Sequence, residues 1–266
     1  MTKQLIAILC LLPLITCKNQ GKINIEVNRD FKIPIAIQEP TKDTIHLSKS
    51  DFLDGVSLRF YGKYKFADTL HLDKEIYVHE AYTDDLISEY SGPRGDDTLT
   101  TDGFQLFADY QTNLYIRDHD TEKCENYFPV YVANETSRTK VFIGKDSYVF
   151  GLQEAVDTSY YDTWRPIESK GFDFCGNGYF GLKVHPGEFV VFLVPKYEGD
   201  EKQPMRIRLR VGESIYLSQS YEGVFNRKQF NIKKDTWSHT RLKKEEGWAI
   251  QRLFYGAIPK GYVEEK

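Results

Sequence analysis

A dense series of short alternating segments between residues 127 and 230 constrains this chain more than any other feature. In residues 205–211, four apolar side chains alternate with Arg206, Arg208 and Arg210, which is the period of a strand buried on one face. Residues 189–195 form a continuous apolar run, as is typical of a strand buried on both faces. Seven or so such segments in about 100 residues, with turns but no helical stretch between them, predict an antiparallel β-sandwich of the immunoglobulin-like kind.

Composition agrees with a mostly β chain. The 266 residues include 18 tyrosines and 17 phenylalanines but only nine alanines, a usage that favours strands over helix interiors. We predict an all-β fold in which a smaller β-rich region precedes the sandwich. The predicted segments are a signal peptide (1–16), a tether with the first strand (17–45), the N-terminal β-rich region (46–123), the sandwich (124–230) and a basic, aromatic C-terminal extension (231–266).

The segment from residue 84 to residue 102 interrupts the strand pattern of the N-terminal β-rich region. It holds six acidic residues and one basic residue, together with Gly92, Pro93 and Gly95. Because charged residues and turn formers dominate it, we predict a solvated loop there.

Residues 1–16 indicate export. A single cation, Lys3, precedes an apolar run far shorter than the ~20 residues that a spanning helix needs, which is typical of a signal peptide. The run ends in the letters LITC, which resemble the lipobox of bacterial lipoproteins, with Thr16 in place of the usual small residue. The resemblance implies cleavage before Cys17 and lipid on its thiol, and Lys18 favours the outer membrane. Ordinary cleavage without lipid and an uncleaved anchor are the alternatives.

Charge and ligand spacing exclude several classes of function. Removal of residues 1–16 would leave 34 basic against 39 acidic residues, so the chain lacks the basic footprint that nucleic-acid binding needs. Histidines and acids cluster at 71–80 and at 118–124, but neither cluster has the spacing of a structural zinc site or a calcium loop. We therefore expect no metal, no cofactor and no nucleic-acid partner.

Two cysteines remain after processing. In an oxidising compartment Cys124 and Cys175 are candidates for a disulfide, and two buried thiols are the alternative. Cys175 adjoins Gly176, Asn177 and Gly178, the start of a match to the dinucleotide fingerprint G-x-G-x-x-G. Because a buried strand rather than a helix follows this match, we interpret Cys175 to Gly178 as a structural turn.

The alternating arginines are candidate ligand contacts. Arg206, Arg208 and Arg210 would form a row of guanidinium groups able to bind carboxylates or phosphates, and Trp164 offers an aromatic ring on which a sugar could stack. The alternative is an ordinary solvated face, since the exteriors of sandwiches commonly carry long charged side chains.

The C-terminal extension combines many bases with aromatic residues. Trp248, Ile250, Leu253 and Phe254 have a loose helical spacing, which predicts a short amphipathic helix. Three interpretations are open for residues 231–266: packing against the body, contact with a partner or a membrane surface, and a mobile tail.

Several segments occur in an order that resembles one family. They are VYVANETSRTKVFIG, TWRPIES, FDFCGNGYFG and MRIRLRV. This order is similar to that of uncharacterised lipoproteins from Bacteroidetes-type bacteria, whose members share a Trp-(Lys/Arg)-Pro-Ile-Glu motif and a Cys-Gly-Asn turn. The resemblance covers roughly residues 127–230, departs at Gly178 where serine is common, and implies no known activity.

The function expected from these patterns is binding. We expect a lipid-anchored, non-enzymatic envelope protein that binds a partner or has a structural role, because no catalytic motif is complete in its context. Its partners would be the membrane, through lipid on Cys17, and an envelope protein or glycan. A carbohydrate-binding module is the first alternative, because sugar rings could stack on the indoles of Trp164, Trp237 and Trp248. An enzyme that uses Cys175 is the second.

Overall fold

The computed structural model describes residues 30–72, 78–88, 99–117, 123–159, 161–171 and 177–262. Within these ranges the protein is all-β and sandwich-like, with a few short helices. No helix among them is both long and apolar enough to cross a membrane.

The first part of the described chain contains eight strands and one helical turn. They are β1 (Ile35–Ile37), β2 (Ile45–His46), β3 (Asp54–Val56), β4 (Leu58–Lys65), β5 (Thr69–His71), α1 (Val78–Ala81), β6 (Leu86–Ser88), β7 (Gln105–Ala108) and β8 (Leu114–Arg117). β1 begins directly after Pro34, whose missing N–H suits the start of a strand.

The second part contains longer strands and then helices. They are β9 (Cys124–Asn134), β10 (Lys140–Lys145), β11 (Tyr148–Asp157), β12 (Thr163–Pro166), β13 (Glu168–Lys170), β14 (Tyr179–Val184), β15 (Glu188–Pro195), β16 (Glu201–Val211), β17 (Ser214–Leu217), β18 (Tyr221–Phe225), a 3-10 turn (Arg227–Phe230), α2 (Trp237–Lys244) and α3 (Glu246–Leu253).

One large sheet joins both parts of the chain. Its main path runs β2-β9-β15-β4-β11-β10-β14-β6, so β4 lies between two strands of the predicted sandwich. β7 and β8 pair with β9. The predicted boundary between 46–123 and 124–230 therefore does not divide the sheet, because the backbone groups of β4 and β9 are satisfied across it.

Strand direction is mixed, whereas the sequence analysis predicts an antiparallel sandwich. Most pairs are antiparallel, but β1–β5, β2–β9 and β13–β3 are parallel. The predicted solvated loop at 84–102 is wrong at its start. There β6 pairs with β14, because Leu86 and Ile87 pack against the main core. Residues 89–98 of that prediction lie outside the described ranges.

The central strands are buried on both faces. Phe192 of β15 belongs to the main core, whereas its neighbours Val191 and Leu193 belong to a second core on the opposite face. Alternation of side chains along a strand produces this division. The prediction that residues 189–195 form a strand buried on both faces is confirmed.

β11 pairs with two groups of strands. Its first residues pair with β10 and β4, and its later residues pair with β12 and β16. Ile207 and Leu209 of β16 enter the main core, while Arg206, Arg208 and Arg210 face the other way, as predicted. The outer face of β11 and β16 is the surface on which the predicted arginine row lies.

Candidate functional site

Several residues singled out from the sequence lie outside the described ranges. These are Cys17, Cys175 and Gly176. Cys124 is the one cysteine among the described residues, and its thiol is buried at the start of β9. The disulfide between Cys124 and Cys175 and the lipid on Cys17 therefore stay predictions.

The described half of the predicted turn requires a glycine. Gly178 has a φ of +82°, and a Cβ there would lie 2.0 Å from Asp146 Oδ1. The Asp146 N–H donates to the Gly178 carbonyl at 2.8 Å, which fixes the turn against the β10–β11 hairpin. Asn177 beside it is exposed. The positive φ favours glycine at position 178, and a Cβ there would also require the Asp146 carboxylate to move.

The predicted arginine row surrounds a buried acid that the sequence analysis missed. Arg206 Nε donates to Glu154 Oε2 at 2.6 Å, and Arg208 Nε donates to Glu154 Oε1 at 2.9 Å. The side chain of Glu154 is only 1% exposed. The Arg206 guanidinium also lies over the ring of Trp164, 4.2 Å from its centroid. Four residues from three strands thus form one cluster.

This cluster changes the interpretation of the arginine row. Glu154 engages two of the guanidinium groups, and the third, on Arg210, donates to the Gly212 carbonyl at 2.8 Å and lies 3.3 Å from the exposed Glu213 carboxylate. Arg208 additionally reaches the carbonyl of Tyr255 at 3.5 Å. Because these arginines hold the sheet and the C-terminal segment together, they do not form an open row of cations.

The C-terminal extension packs against the body, which selects one of the three interpretations left open by the sequence. Leu242 of α2 and both Ala249 and Leu253 of α3 are buried in the main core. Lys260 forms an ion pair with Asp157 at 3.0 Å, which fixes the chain beyond the helices. α2 was not predicted, because WSHTRLKK is mostly polar. Thr236 caps it by accepting from the His239 N–H at 3.3 Å.

These two helices present a pair of exposed indoles. Trp237 and Trp248 are 45% and 39% exposed, and their ring centroids lie 6.1 Å apart at an interplanar angle of 81°. The guanidinium of Arg241 lies 5.6 Å from each ring centroid. Glu245 accepts from Arg241 at 2.7 Å and holds the guanidinium in place. Two aromatic surfaces and a planar donor group therefore occupy one exposed site, which we call the indole site.

The segment that carries the indole site has an excess of basic residues. Exposed Lys233, Lys234, Lys243 and Lys244 precede α2 or lie in its last turn, against the three acids Asp235, Glu245 and Glu246. The cationic side chains at the end of α2 also match the negative end of the helix dipole. An anionic ligand would therefore be attracted to this surface.

A second polar cluster lies at the β14–β15 hairpin. Lys63 Nζ, which is nearly buried, donates to Asp85 Oδ2 at 2.5 Å and to Glu188 Oε2 at 3.0 Å. His185 Nε2 lies 2.9 Å from Asp85 Oδ1, and its Nδ1 lies 3.0 Å from Thr139 Oγ1. Burial would raise the pKa of Asp85, but hydrogen bonds from Lys63 and His185 outweigh it and hold that pKa below its usual range.

The hydroxyl, imidazole and carboxylate of this cluster have the order found in hydrolase triads. In such triads the carboxylate stabilises the imidazolium that forms during catalysis. Here the ammonium of Lys63 already compensates the charge of Asp85, which weakens that effect. The cluster instead joins β4, the turn before β6 and the β14–β15 hairpin, and we interpret it as structural.

One further acid, Glu168 at the start of β13, is buried beside a third, smaller core that includes Ile167 and Tyr197. Glu168 accepts from the Gln153 backbone N–H and side-chain amide, both at 2.7 Å, and from the Tyr197 hydroxyl at 2.8 Å. Burial raises the pKa of the Glu168 carboxyl, and these hydrogen bonds offset only part of that effect. With no exposure to solvent, Glu168 serves packing between β11 and β13 rather than a ligand.

Metal ligation receives no support from the placed side chains. Within the described ranges, no three His, Cys, Asp or Glu side chains converge on a point where they could share an ion. In the first cluster considered from the sequence, at 71–80, His71 is exposed on β5. In the second, at 118–124, residues 118–122 lie outside the described ranges.

Comparisons of this chain with protein-family models, with curated proteins and with solved structures find no match. The functional interpretation of the site therefore depends on its geometry alone. Sequence reasoning singled out both tryptophans of the indole site as sugar-stacking residues but did not place them together. It also missed Arg241 and Glu154. The available signal for Glu154 was its place in YVFGLQEAV, a mostly apolar segment, because a carboxylate on a buried strand needs a partner.

Proposed function

We propose that this protein is a lipid-anchored envelope protein that binds a glycan at the indole site rather than catalysing a reaction. The observation that carries the proposal is the exposed pair formed by Trp237 and Trp248 with Arg241 between them. Large aromatic side chains exposed together indicate an interaction site more often than an isolated exposed residue does.

The geometry of the pair suits a sugar ring. Because the two indoles are nearly perpendicular, a sugar that stacks its C–H face on one ring meets the edge of the other. The Arg241 guanidinium supplies donors to hydroxyl or carboxylate oxygens of the sugar. A flat apolar surface with a few placed polar groups is the usual composition of a small-ligand site.

The helices hold the indole site in place before a ligand arrives. Leu242 and Ala249 are fully or almost fully buried, and each lies on the same helix as one of the indoles. Ligand binding then orders few additional groups, which limits its entropic cost.

Charge favours an acidic glycan. Residues 233–246, which carry Trp237 and precede Trp248, hold five bases against three acids, and one of the bases, Arg241, lies inside the indole site. We propose uronic-acid or phosphorylated sugars as the ligand class, with neutral sugars binding more weakly.

The anchor belongs to the same proposal. The LITC run with Cys17 would place lipid on the mature N-terminus, and a short tether would join it to the body at residue 30. Lys18 after the cysteine, by resemblance to the lipoprotein sorting pattern, supports an outer-membrane location. Binding of an envelope protein partner is the alternative use of the same surface.

Titration of the purified full chain with acidic and neutral oligosaccharides, followed by intrinsic tryptophan fluorescence, tests the binding proposal. Trp248→Ala should weaken binding of the acidic ligand at least tenfold, which corresponds to about 1.4 kcal/mol. Tyr161→Ala, which removes an aromatic side chain that is 92% exposed elsewhere, is the matched control and should leave binding unchanged. Trp164→Ala separates this site from the arginine cluster. If Trp164→Ala abolishes binding and Trp248→Ala does not, the indole site is the wrong surface.

A further inference from the structure

The first strand of the body exposes a stripe of three isoleucines. Ile33, Ile35 and Ile37 are 42%, 69% and 40% exposed; Ile35 and Ile37 share one side of β1, and Ile33 lies two residues before them. Ala36 on the other side of β1 packs against the second core, and Phe31, before the strand, is buried in it. β1 is therefore fixed to the body while its outer side presents apolar groups to the surroundings.

The pairing of β1 with β5 also fixes which way the isoleucine side chains point. β1 pairs with β5, so that Ile35 lies opposite Thr69 and Ile37 lies opposite His71. Hydrogen bonds from the Ile35 N–H to the Asp68 carbonyl and from the Leu72 N–H to the Ile37 carbonyl, both at 2.9 Å, hold the strand. The isoleucines cannot turn inward without breaking this pairing and losing the burial of Phe31.

We infer that the isoleucine stripe rests on the lipid bilayer that holds the protein's own anchor. This inference rests on the lipid at Cys17 that the proposed function includes. Residues 18–29 separate Cys17 from the described chain, and a segment of that length reaches at most about 45 Å. The stripe begins only a few residues after the segment ends. Of all the surfaces described, it is the one closest along the chain to the anchor.

The charges beside the stripe define the kind of membrane contact. Exposed Asp30 and Glu39 flank it, together with exposed Lys32 and Lys42, so the local charge is balanced. The contact is therefore made by apolar side chains that enter the boundary between headgroups and acyl chains, rather than by attraction to anionic lipid. It should persist at high salt.

This arrangement is compatible with ligand binding at the indole site. β1 packs on the face of the central strands that forms the second core, whereas α2 and α3 pack into the main core on the opposite face. With β1 toward the bilayer, the helices lie on the other face of these strands, where a glycan outside the membrane surface can reach them.

The test uses the acylated full chain in vesicles of phosphatidylethanolamine and phosphatidylglycerol. Ile35→Cys in a Cys175→Ala background is labelled with an environment-sensitive fluorophore, since Cys124 is buried. Ile215→Cys on β17 is the matched control, because Ile215 is a similarly exposed isoleucine at 43%. Ile33→Cys provides a second position if the label at residue 35 disturbs the strand. Flotation of the vesicles reports the anchor separately.

We expect a blue shift of the label at residue 35, and its quenching by nitroxide lipids at low and high salt, with neither effect at residue 215. Protein that floats with the vesicles while labels at residues 33 and 35 stay water-exposed would overturn the inference and leave the anchor intact. Failure of the protein to float with the vesicles would overturn both the inference and the proposed lipid anchor. Shielding at residue 35 that depends on protein concentration and not on lipid would identify a second copy of the chain as the occupant, and would also overturn the inference.

Discussion

Arg206 and Glu154 form an ion pair at 2.6 Å in which the acid is almost completely buried. They are opposite each other in the pairing of β16 with β11. Arg208, two residues along β16, binds the other oxygen of the same carboxylate at 2.9 Å. One acid thus binds two guanidinium groups, and Trp164 lies against the Arg206 guanidinium.

Replacement of this acid should be costly. Glu154→Gln removes the charge that compensates both arginines and should lower the free energy of unfolding by about 3 kcal/mol, since breaking a buried pair leaves uncompensated charge. Urea denaturation measures the change. Arg210→Gln is the control, because its carboxylate partner Glu213 is 96% exposed, and it should cost no more than about 1 kcal/mol. Equal costs for the two variants would contradict the importance of the Glu154 cluster.

The turn at Gly178 gives a second prediction. Gly178→Ala should destabilise the protein by more than about 1 kcal/mol, because it combines a positive φ with a contact to the Asp146 carboxylate. Gly187→Ala is a matched control, since Gly187 has a φ of +78° but nothing within 4 Å of its Cβ position. The difference between the two denaturation midpoints isolates the contact. A difference of zero would show that Asp146 moves aside freely.

Patterns of short period were predictable from the sequence. The alternation in residues 205–211 and the apolar run at 189–195 each lie within one strand, so local periodicity determined their faces. The position of β4 at the centre of the sheet was not predictable, because it depends on pairing with β15 more than 120 residues away. Strand pairing crosses the predicted boundary between 46–123 and 124–230 for this reason.

The candidate site was predictable only in part. Trp248 was assigned to an amphipathic helix, and α3 (Glu246–Leu253) confirms that assignment. Its proximity to Trp237 depends on the angle between two helices, which no sequence period encodes. The arginines were placed correctly on one face, but their partner Glu154 lies 52 residues earlier in the chain.

The cluster at the β14–β15 hairpin predicts a pH dependence. The pKa of Asp85 is lowered in the folded protein, so its contribution to stability is present above the unfolded pKa of about 3.9 and is lost as the pH falls through the folded value. Asp85→Asn should cost about 1 kcal/mol at neutral pH, with that cost shrinking below about pH 4.

Denaturation midpoints between neutral and acidic pH measure this effect. Asp84→Asn is the control, since Asp84 is the neighbouring acid and is exposed. A cost of Asp85→Asn that grows as the pH falls would reverse the sign of the prediction and contradict the assigned hydrogen bonds.

The anchor gives a fourth prediction. In cells fed a fatty-acid probe, Cys17→Ser should abolish labelling of the protein, because the Cys17 thiol is the proposed acceptor of the lipid. Cys10→Ser is the control, since this cysteine lies inside the apolar run and should be removed with the signal peptide. Undiminished labelling of Cys17→Ser would exclude the proposed lipidation.

The most direct test of the central claim measures binding of a sugar and any chemical change in that sugar in the same sample. Equilibrium dialysis of an acidic envelope oligosaccharide against the full chain, followed by chromatography of the recovered sugar, reports both. We expect the protein to retain the sugar and to return it chemically unchanged. We also expect Cys175→Ala to behave as the natural protein does, and the combined Trp237→Ala and Trp248→Ala variant to retain no sugar. Cleavage or modification of the sugar that disappears in Cys175→Ala would contradict the account, as would full retention by the double tryptophan variant.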